Sequence, residues 1–563
     1  MDLFKQQIAK IISNYLNAKI QEILSLIEVP PDSSLGDYAF PCFVFAKELK
    51  KNPNEIAKDL SNKIKPNKFL SKIESKGPYL NFFVNNSYLA DLTIKKIMSE
   101  KDDYGKGDIK KEKVMIEFSQ PNTHKEFHIG HLRNVALGDS LVKIFSFNGY
   151  KTISANYIGD IGNHVAKCIW IYLKKYKGKE PKTNKGAWLG RLYTEATKLI
   201  EENENFKDEV QAIQKKLEEG DKNLTKIWKD TRDWSLQEFN LIYNLLSVKF
   251  EIFFYESEEE KEGKRIVKEL LKNKIAELSE GAVIINLEEY NLPIFLLLKK
   301  DGTSLYSTKD IALAKTKFTK FKIDKSVYVV ADEQKLYFQQ LFKTLEIIGF
   351  KQAKDCYHLP YALVMLESGK MSSREGNIIK FSDLYNETLN FSINETAKRH
   401  KDWDHKKIEN ISQKICLGAL KFSMICQDTN KVIIFNKEKS LSFEGYTAPY
   451  IQYSVARATS ILKSSNKLNK KPGLLNSIYE QNLIKKLSEF PQIVIKAKDQ
   501  FKPSIISQYT YELAQQFNEF YHNCQVLKSE EPLRSSRLIL VMSTKQVLEN
   551  ALSLLGIESP TEM

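Results

Sequence analysis

The sequence predicts a multidomain protein of the α/β plus α class, in which a parallel-sheet domain lies between a small α+β unit and an all-helical C-terminal domain. Apolar strands alternate with amphipathic helices in the central part, whereas helical spacing runs alone from about residue 405. At 563 residues the chain is too long for one hydrophobic core. We expect three domains, at residues 1–105, 106–404 and 405–563.

The N-terminal unit is predicted to be α+β. An amphipathic helix over residues 2–26 leads to the segment PPDSSLGDYAFP, and the strand-like GPYLNFFVN follows at 77–85. Gly105 and Gly107 indicate a linker to the next domain. The aromatic side chains of this unit either form a small core or contact unstacked nucleic-acid bases, and both readings stay open. Those of interest are Tyr38, Tyr79 and Phe82.

A histidine-rich segment, QPNTHKEFHIGHLRN at 120–134, opens a helix directly after a strand candidate at 114–119. Another strand at 152–157 completes a βαβ unit, where ligands bind at the carboxyl ends of strands and at helix N-termini. His128 and His131 fall there, Gly130 lets a nucleotide approach the backbone, and Lys125 adds a positive charge. The pattern predicts a triphosphate site, although histidines that merely begin a helix are the alternative.

A second loop with nucleotide-handling composition follows the strand candidate at 361–367. Glycines at 369 and 376 bracket a cationic run that contains Lys370, Met371, Ser372 and Ser373. An ammonium group there can stabilise the negative charge that grows on pyrophosphate when a carboxylate attacks the α-phosphate of ATP. The alternative is a solvated basic turn. The two loops together indicate adenylate chemistry on ATP.

The rest of the central domain contains one insertion and a further pair of polar residues. We expect a Lys/Glu-rich helical insertion at about 170–280, two strands within 283–298 and a strand at 327–331. Tyr306 and Asp310 are four residues apart at a predicted helix start, so their side chains share one face. A carboxylate there suits a guanidinium, which binds carboxylates in bidentate geometry. An ordinary helix cap with a packed aromatic ring is the alternative.

Composition limits the class of protein. The formal net charge of +14 suits a polyanionic partner, although lysine enrichment can also reflect genome composition. The six cysteines form no C-x-x-C pair, so we expect no structural zinc and reduced thiols. No apolar run reaches the roughly 20 residues of a membrane span. The N-terminus does not resemble a signal peptide, and we therefore expect a soluble cytoplasmic protein.

The two loops resemble the signatures of the class I aminoacyl-tRNA synthetases, HIGH and KMSKS. Residues 128–131 match HIGH at every position, and residues 370–373 match three of the first four positions of KMSKS. The wider segments SQPNTHKEFHIGHLRN, YSTKDIALA, ADEQKLYF and EGYTAPYIQYSVAR are similar to the arginyl-tRNA synthetases. The resemblance runs from GDYAFP at 36–41 to PLRSSRL at 532–538, which is nearly the whole chain.

This resemblance implies a Rossmann-like catalytic domain and a helical anticodon-binding domain, and it assigns site residues. It implies that ATP contacts the first motif (128–131) and the second motif (370–373), with His128, His131, Lys125 and Lys370 in catalytic roles. The implied arginine-binding residues are Glu117, Pro121, Asn122, His131, Tyr306, Asp310 and Gln334. The implied tRNA-binding residues are Tyr38, Tyr79, Phe82, Gln452, Tyr453 and Arg457, and packing inside the domain is the alternative for their aromatic rings.

The implied reaction joins L-arginine to the 3′-terminal adenosine of tRNA(Arg) through arginyl-adenylate, with Mg²⁺ arriving on ATP and no dedicated metal site. We also expect a monomer and tRNA-dependent activation. Two departures stand out: Ser373 replaces the second signature lysine, and Gln120 precedes Pro121 where relatives often have a small residue. Another class I ligase, or a tRNA-binding paralogue without activity, is the alternative function. The intact first motif and Lys370 argue against the paralogue.

Overall fold

The computed structural model describes residues 3–366, 379–464 and 475–563. It has the predicted fold class, with an N-terminal α+β unit, a parallel-sheet domain and a helical domain. Within the described ranges no helix is both long and apolar enough to cross a membrane.

The N-terminal unit is a three-stranded antiparallel sheet with helices around it. Its elements are α1 (Leu3–Leu16), α2 (Ile20–Leu26), β1 (Tyr38–Pro41), α3 (Ala46–Leu49), α4 (Pro53–Lys63), β2 (Leu70–Lys76), β3 (Tyr79–Val84) and α5 (Asn86–Glu100). Strand β3 lies between β1 and β2 and is antiparallel to both. The unit has its own core, in which Phe40 and Phe82 are fully buried.

The central domain is built on five parallel strands. Its elements are β4 (Lys113–Glu117), α6 (Ile129–Phe147), β5 (Lys151–Ile158), α7 (Asn163–Ile171), α8 (Lys185–Glu202), α9 (Phe206–Glu218), α10 (Lys222–Leu245), β6 (Ile252–Tyr255), α11 (Glu256–Lys272), β7 (Glu277–Ser279), β8 (Ala282–Ile285), β9 (Phe295–Leu298), α12 (Tyr306–Phe321), β10 (Lys325–Ala331), α13 (Lys335–Ile347) and β11 (Cys356–Tyr361). The strand order is β11–β10–β4–β5–β6, so the carboxyl ends of all five strands share one edge.

The helical insertion is shorter than the sequence predicts. Helices α7 to α10 form it, but residues 252–255 form β6, which pairs in parallel with β5 at the edge of the main sheet. The prediction of one helical insertion to about residue 280 is therefore wrong for this part. The Lys/Glu-rich helices on either side obscure a strand of only four residues. The two strands predicted within 283–298 are confirmed as β8 and β9, which join β7 in a separate antiparallel sheet.

The C-terminal part is mainly helical, as predicted, but it also contains two short strands. Its elements are β12 (Val364–Leu366), α14 (Phe381–Arg399), α15 (His405–Ile425), β13 (Ile433–Phe435), α16 (Lys437–Ser440), α17 (Ala448–Lys463), α18 (Ile478–Asp499), α19 (Pro503–Asn523) and α20 (Leu533–Leu554). Helices α15, α18, α19 and α20 contact α6 and share one continuous core with it. The Ser140 hydroxyl donates to the carbonyl oxygen of Leu554 at 2.8 Å, so α6 is held from the helical domain as well as from the sheet.

Candidate active site

Helix α6 begins at the first motif with a reciprocal histidine cap. The backbone N–H of Gly130 donates to Nδ1 of His128 at 3.1 Å, and the backbone N–H of His128 donates to Nδ1 of His131 at 3.2 Å. The two rings stack with centroids 3.8 Å apart. A Cβ atom at Gly130 would lie 3.0 Å from the His128 ring, so a residue without a side chain suits this cap. The two histidines therefore satisfy backbone N–H groups at the start of α6.

Both histidines are neutral at physiological pH. Burial, reinforced by Lys125, lowers the pKa of His128 to about 4. Burial and the neighbouring His128 and Lys125 also hold the pKa of His131 well below its ordinary value. Because each Nδ1 accepts a hydrogen bond, each neutral ring carries its proton on Nε2. Neither ring therefore carries a positive charge, and each has one N–H group, on Nε2, that can donate to a ligand.

The loop before α6 is fixed by the helical insertion. His124 is fully buried, with φ of 65°, and its ring nitrogens lie 2.9 Å from Thr123 Oγ1 and 2.8 Å from Thr231 Oγ1 of α10. Its backbone N–H donates to Oγ of Ser235, also on α10, at 2.9 Å. The next residue, Lys125, places Nζ 5.0 Å from the ring centroid of Tyr193 on α8, a cation–π distance. The insertion thus sets where the predicted catalytic Lys125 lies.

The second motif lies outside the described residues, so Lys370, Met371, Ser372 and Ser373 have no structural account here. The residues that flank this range are described and adjoin the first motif. After the range, the backbone N–H of Ile129 donates to the carbonyl oxygen of Ile379 at 3.1 Å, and Lys380 forms an ion pair with Glu126 at 2.9 Å. Before the range, β12 contacts α6. The described residues on either side of the range are therefore in contact with the first motif or its helix.

Asp310 is a buried carboxylate, and one of its oxygens has no hydrogen-bond partner among the described residues. The hydroxyl of Tyr337 donates to Oδ2 at 2.5 Å, whereas Oδ1 is buried and has no hydrogen-bond partner among the described residues. The buried hydroxyl of Tyr157 also lacks a partner in that part of the chain. Burial raises the pKa of Asp310 to about 7, and the charges of Glu117 and Glu256 add to the shift. Unpartnered buried polar atoms are rare, and these two are suited to a ligand that donates hydrogen bonds.

Tyr306 adjoins this carboxylate from the surface. It is the first residue of α12, is 53% exposed, and packs edge-on against Tyr337 with ring centroids 4.8 Å apart. Tyr306 and Asp310 are therefore both in contact with Tyr337, one at the surface and one buried. The structure brings together the pair that the sequence singles out.

Other predicted arginine-site residues also lie at the carboxyl edge of the sheet, but they differ in burial and in the partners that they already have. Glu117, at the end of β4, is paired with the fully buried Lys317 at 2.5 Å. Asn122 forms an isolated bridge with Gly159 beyond β5, and Pro121 is buried beside it. Gln334 follows β10 and is exposed. Glu117 is therefore ion-paired with Lys317, whereas no ion pair among the described residues includes Asp310.

The predicted tRNA-binding residues divide into exposed and buried ones. Phe82 and Gln452 are fully buried: Phe82 lies in the N-terminal core, and Gln452 donates to the carbonyl oxygens of Lys414 and Glu558. Phe82 has the packing role that was the alternative for the aromatic rings, and the Gln452 side chain is buried as well, so neither presents a surface to tRNA. The others are partly exposed, and their tRNA contact stays a prediction; they are Tyr38, Tyr79, Tyr453 and Arg457.

Sequence reasoning missed several side chains that build the site. The Asn134 side chain accepts from the backbone N–H of Ser119 at 2.6 Å and donates to the carbonyl oxygen of Val329 at 2.9 Å, which ties α6 to the ends of β4 and β10. Tyr337 and Lys317 complete the pocket around Asp310 and Glu117. No local pattern indicates these roles, because the partners are distant in the sequence. Across the described residues no group of three or more His, Cys, Asp or Glu could hold a metal ion.

The fold and the first motif define the catalytic domain of a class I aminoacyl-tRNA synthetase. A family model for "tRNA synthetases class I (R), catalytic domain" matches residues 93–436. Models for the arginyl tRNA synthetase N terminal domain and the DALR anticodon binding domain match residues 2–84 and 451–563. The chain belongs to the arginyl-tRNA synthetase family.

Individual relatives agree over the full length. The arginine–tRNA ligase of Halothermothrix orenii is 37% identical and covers 100% of both chains, and that of Clostridioides difficile is 38% identical over 98% of this chain and 99% of its own. The structure of Thermus thermophilus arginyl-tRNA synthetase matches with a TM-score of 0.83 and 25% identity, over 99% of this chain and 100% of that one.

Replacing His124 should reduce the sensitivity of the protein to mild acid. Burial lowers the pKa of His124 to about 3, below the ordinary value of 6.5, so the folded state binds fewer protons than the unfolded state between these values. Stability is therefore lost as pH falls through 6.5, by about 2 kcal/mol between pH 7 and pH 5 for this ring. In urea denaturation at both pH values, His124→Gln should show a smaller loss than the unmodified protein.

The exposed His405 provides the matched control, since its side chain is 80% exposed. His405→Gln should keep the pH dependence of the unmodified protein. If His124→Gln keeps it too, His124 is not a buried neutral group.

Proposed function

We propose that the protein activates L-arginine with ATP, forming arginyl-adenylate and pyrophosphate, and then transfers the arginyl group to the 3′-terminal adenosine of tRNA(Arg). The observation that carries the proposal is that Oδ1 of buried Asp310 has no hydrogen-bond partner among the described residues. Asp310 lies at the same edge of the sheet as the histidine pair of the first motif. A site that binds a triphosphate and also has a carboxylate to bind a guanidinium is suited to the activation of arginine.

The ATP side of the proposed site works by hydrogen bonding and charge. The Nε2–H groups of His128 and His131 donate to phosphate oxygens from the N-terminus of α6, where the helix dipole also favours an anion. Lys125 and Lys370 stabilise the charge that develops on the leaving pyrophosphate. The arginine carboxylate attacks the α-phosphate directly, so no side chain acts as a covalent nucleophile. Catalysis on this view is alignment together with electrostatic stabilisation.

The arginine side of the proposed site uses Asp310 as the counter-charge. A guanidinium that donates to Oδ1 would satisfy the unpartnered oxygen, and the Tyr157 hydroxyl is a second buried acceptor nearby. Tyr306 covers the pocket from the surface, and Gln334 and Asn122 are placed at the carboxyl edge for the polar ends of the substrate. A neutral analogue such as citrulline would leave the carboxylate without its cation, which gives selectivity without editing.

The tRNA is assigned to the flanking domains. The helical domain and the N-terminal unit present the partly exposed Tyr38, Tyr79, Tyr453 and Arg457, and the net charge of +14 favours binding to phosphates. Mg²⁺ is proposed to arrive bound to ATP. The protein is proposed to work as a monomer in the cytoplasm.

Amino-acid-dependent ATP–pyrophosphate exchange tests the proposed function. With tRNA(Arg) present, arginine should support exchange, and lysine, glutamine and citrulline should not. Omitting the tRNA should lower the rate strongly, because activation is proposed to depend on it. Exchange with another amino acid would replace the assignment, and equal rates with and without tRNA would remove the tRNA dependence alone.

Lys370→Ala should lower kcat for exchange by about two orders of magnitude and leave arginine affinity within about twofold, because the ammonium acts mainly on transition-state charge. Exchange kinetics and calorimetry measure the two quantities. Lys322→Ala, at the exposed end of α12, is the control and should retain the original kcat. An effect confined to KM would contradict the catalytic role.

Arginine affinity should depend on pH through Asp310. The free carboxyl has a pKa of about 7, and a guanidinium binds the ionised form, so protons leave Asp310 as arginine binds below that pH. Affinity should fall about tenfold from pH 8 to pH 6. Calorimetry should show this fall for the unmodified protein. Asp310→Asn should bind arginine about 30-fold more weakly, with little pH dependence.

Asp301→Asn is the matched control, because Asp301 is an exposed carboxylate in the turn before α12. It should keep both the affinity and its pH dependence. Unchanged binding by Asp310→Asn would place the guanidinium elsewhere.

A further inference from the structure

Three acidic side chains interact electrostatically at the proposed arginine site, and their partners differ in charge. The three are Asp310, Glu117 and Glu256. Two of them form ion pairs with lysines, Glu117 with Lys317 at 2.5 Å and Glu256 with Lys309 at 2.6 Å. Asp310 instead accepts a hydrogen bond from the hydroxyl of Tyr337 at 2.5 Å, and no ion pair among the described residues includes it. Its partner is therefore neutral, whereas the other two carboxylates have cationic partners.

Tyr337 on α13 is held in place by packing. Three aromatic rings contact its own ring, at centroid distances of 4.8 Å for Tyr306, 5.7 Å for Phe295 and 5.5 Å for Phe338. This packing restricts the ring, so the hydroxyl stays within hydrogen-bond reach of Oδ2 of Asp310. The other oxygen, Oδ1, is buried and has no hydrogen-bond partner among the described residues. One oxygen is thus bound by the protein, and the other can accept from a ligand.

We propose that Tyr337 is a positioning residue for arginine binding, which acts through Asp310: its hydroxyl favours the ionised carboxylate and leaves the negative charge to be balanced by the ligand. The inference rests on the proposed function of Asp310 in binding the guanidinium of arginine. Tyr337 donates to Oδ2, whereas the guanidinium is proposed to donate to Oδ1. Its contribution therefore does not require contact with the substrate.

A neutral donor suits this position better than a cation. Burial raises the pKa of Asp310 to about 7, with Glu117 and Glu256 adding to the shift, and the hydrogen bond from Tyr337 opposes this rise. A lysine in place of the tyrosine would favour ionisation as well, but it would neutralise the carboxylate, as Lys317 does for Glu117. An incoming guanidinium would then compete with a cation of the protein itself. The hydroxyl supports the charge without cancelling it.

The titratable groups around Asp310 come from six elements. They are Tyr337 on α13, Glu117 on β4, Tyr157 on β5, Glu256 on α11, Lys317 on α12 and Tyr328 on β10. The tyrosines stay neutral, since burial raises the pKa of each one above its ordinary value. The two glutamates are paired with lysines. We therefore expect Asp310 to be the group in this set that changes charge between pH 6 and pH 8.

Calorimetric titration of arginine into Tyr337→Phe from pH 6 to pH 8 tests the inference. The phenylalanine ring keeps the packing, and only the hydroxyl donor is lost. Loss of a hydrogen bond to a charged group should disfavour the ionised carboxylate about tenfold. Arginine affinity should therefore fall about tenfold at pH 6 and only about twofold at pH 8, where most of the carboxylate is ionised even without the donor.

Tyr104→Phe is the matched control. The buried Tyr104 donates its hydroxyl to the carbonyl oxygen of Leu487 at 3.0 Å, so this variant also removes one buried hydroxyl hydrogen bond, but outside the proposed site. It should keep the arginine affinity of the unmodified protein at every pH. Thermal denaturation of both variants detects a general loss of stability. The inference is overturned if Tyr337→Phe keeps its affinity throughout, or if it loses the same factor at pH 6 and pH 8.

A double-mutant cycle with Asp310→Asn separates this inference from the proposed function. If Tyr337 acts through the charge of Asp310, Tyr337→Phe should change arginine affinity by less than about twofold in the Asp310→Asn background. The full loss in that background would overturn the role of Tyr337 and leave the proposed function of Asp310 intact. If Asp310→Asn alone binds arginine as the unmodified protein does, the proposed function of Asp310 fails, and the role of Tyr337 fails with it.

Discussion

The two motif histidines can present neutral N–H groups to an anion because α6 is fixed on every side. Thirteen of its nineteen residues are buried, including Arg133, Asn134, Asp139 and Ser140. A helix buried all round is normally apolar, so each of these polar side chains needs partners inside the protein. Arg133 donates to backbone carbonyls in the segments before β12 and β13, Asn134 donates to the carbonyl oxygen of Val329 in β10, and Ser140 binds the end of α20. The same contacts that satisfy the polar groups therefore prevent α6 from shifting relative to the site at its N-terminus.

The buried polar side chains of α6 have partners, whereas the buried carboxylate of Asp310 has no cationic partner among the described residues. Glu117 and Lys317 are buried together and neutralise one another, and Lys317 also lies 3.9 Å from the ring centroid of Tyr328. Separating this pair would leave an uncompensated buried charge, which is costly. Glu117 therefore does not compete with Asp310 for an incoming cation. Asp310, by contrast, has among the described residues only the Tyr337 hydroxyl, on one oxygen. As the proposed arginine pocket, this arrangement would select a cationic side chain, because a neutral one would leave the buried carboxylate without a counter-charge.

The sequence predicts the central fold well where local patterns decide it. The strands predicted at 114–119, 152–157 and 327–331 correspond to β4, β5 and β10, and the helix predicted to open in the histidine-rich segment corresponds to α6, because apolar periodicity is a local signal. Strand β6 was missed since four residues between charged helices carry little periodicity. Phe82 and Gln452 could not be placed because burial depends on distant partners. The bonds of Arg133 span at least 229 residues, which no local pattern encodes.

The supply of positive charge divides between two parts of the molecule. Since His128 and His131 are neutral and Ser373 replaces a signature lysine, the proposed transition state relies on Lys125 and Lys370. Lys125 depends on the insertion, through Tyr193 on α8 and the His124 contacts with α10. Lys370 lies outside the described residues, and the chain before that range is bound to α6 through Arg133, which donates to the carbonyl oxygens of Ala362 and Leu363. Among the described residues, the insertion contacts of Lys125 and the contacts of Arg133 share no side chain. A change in the insertion contacts should therefore alter the position of Lys125 and leave the Arg133 contacts intact.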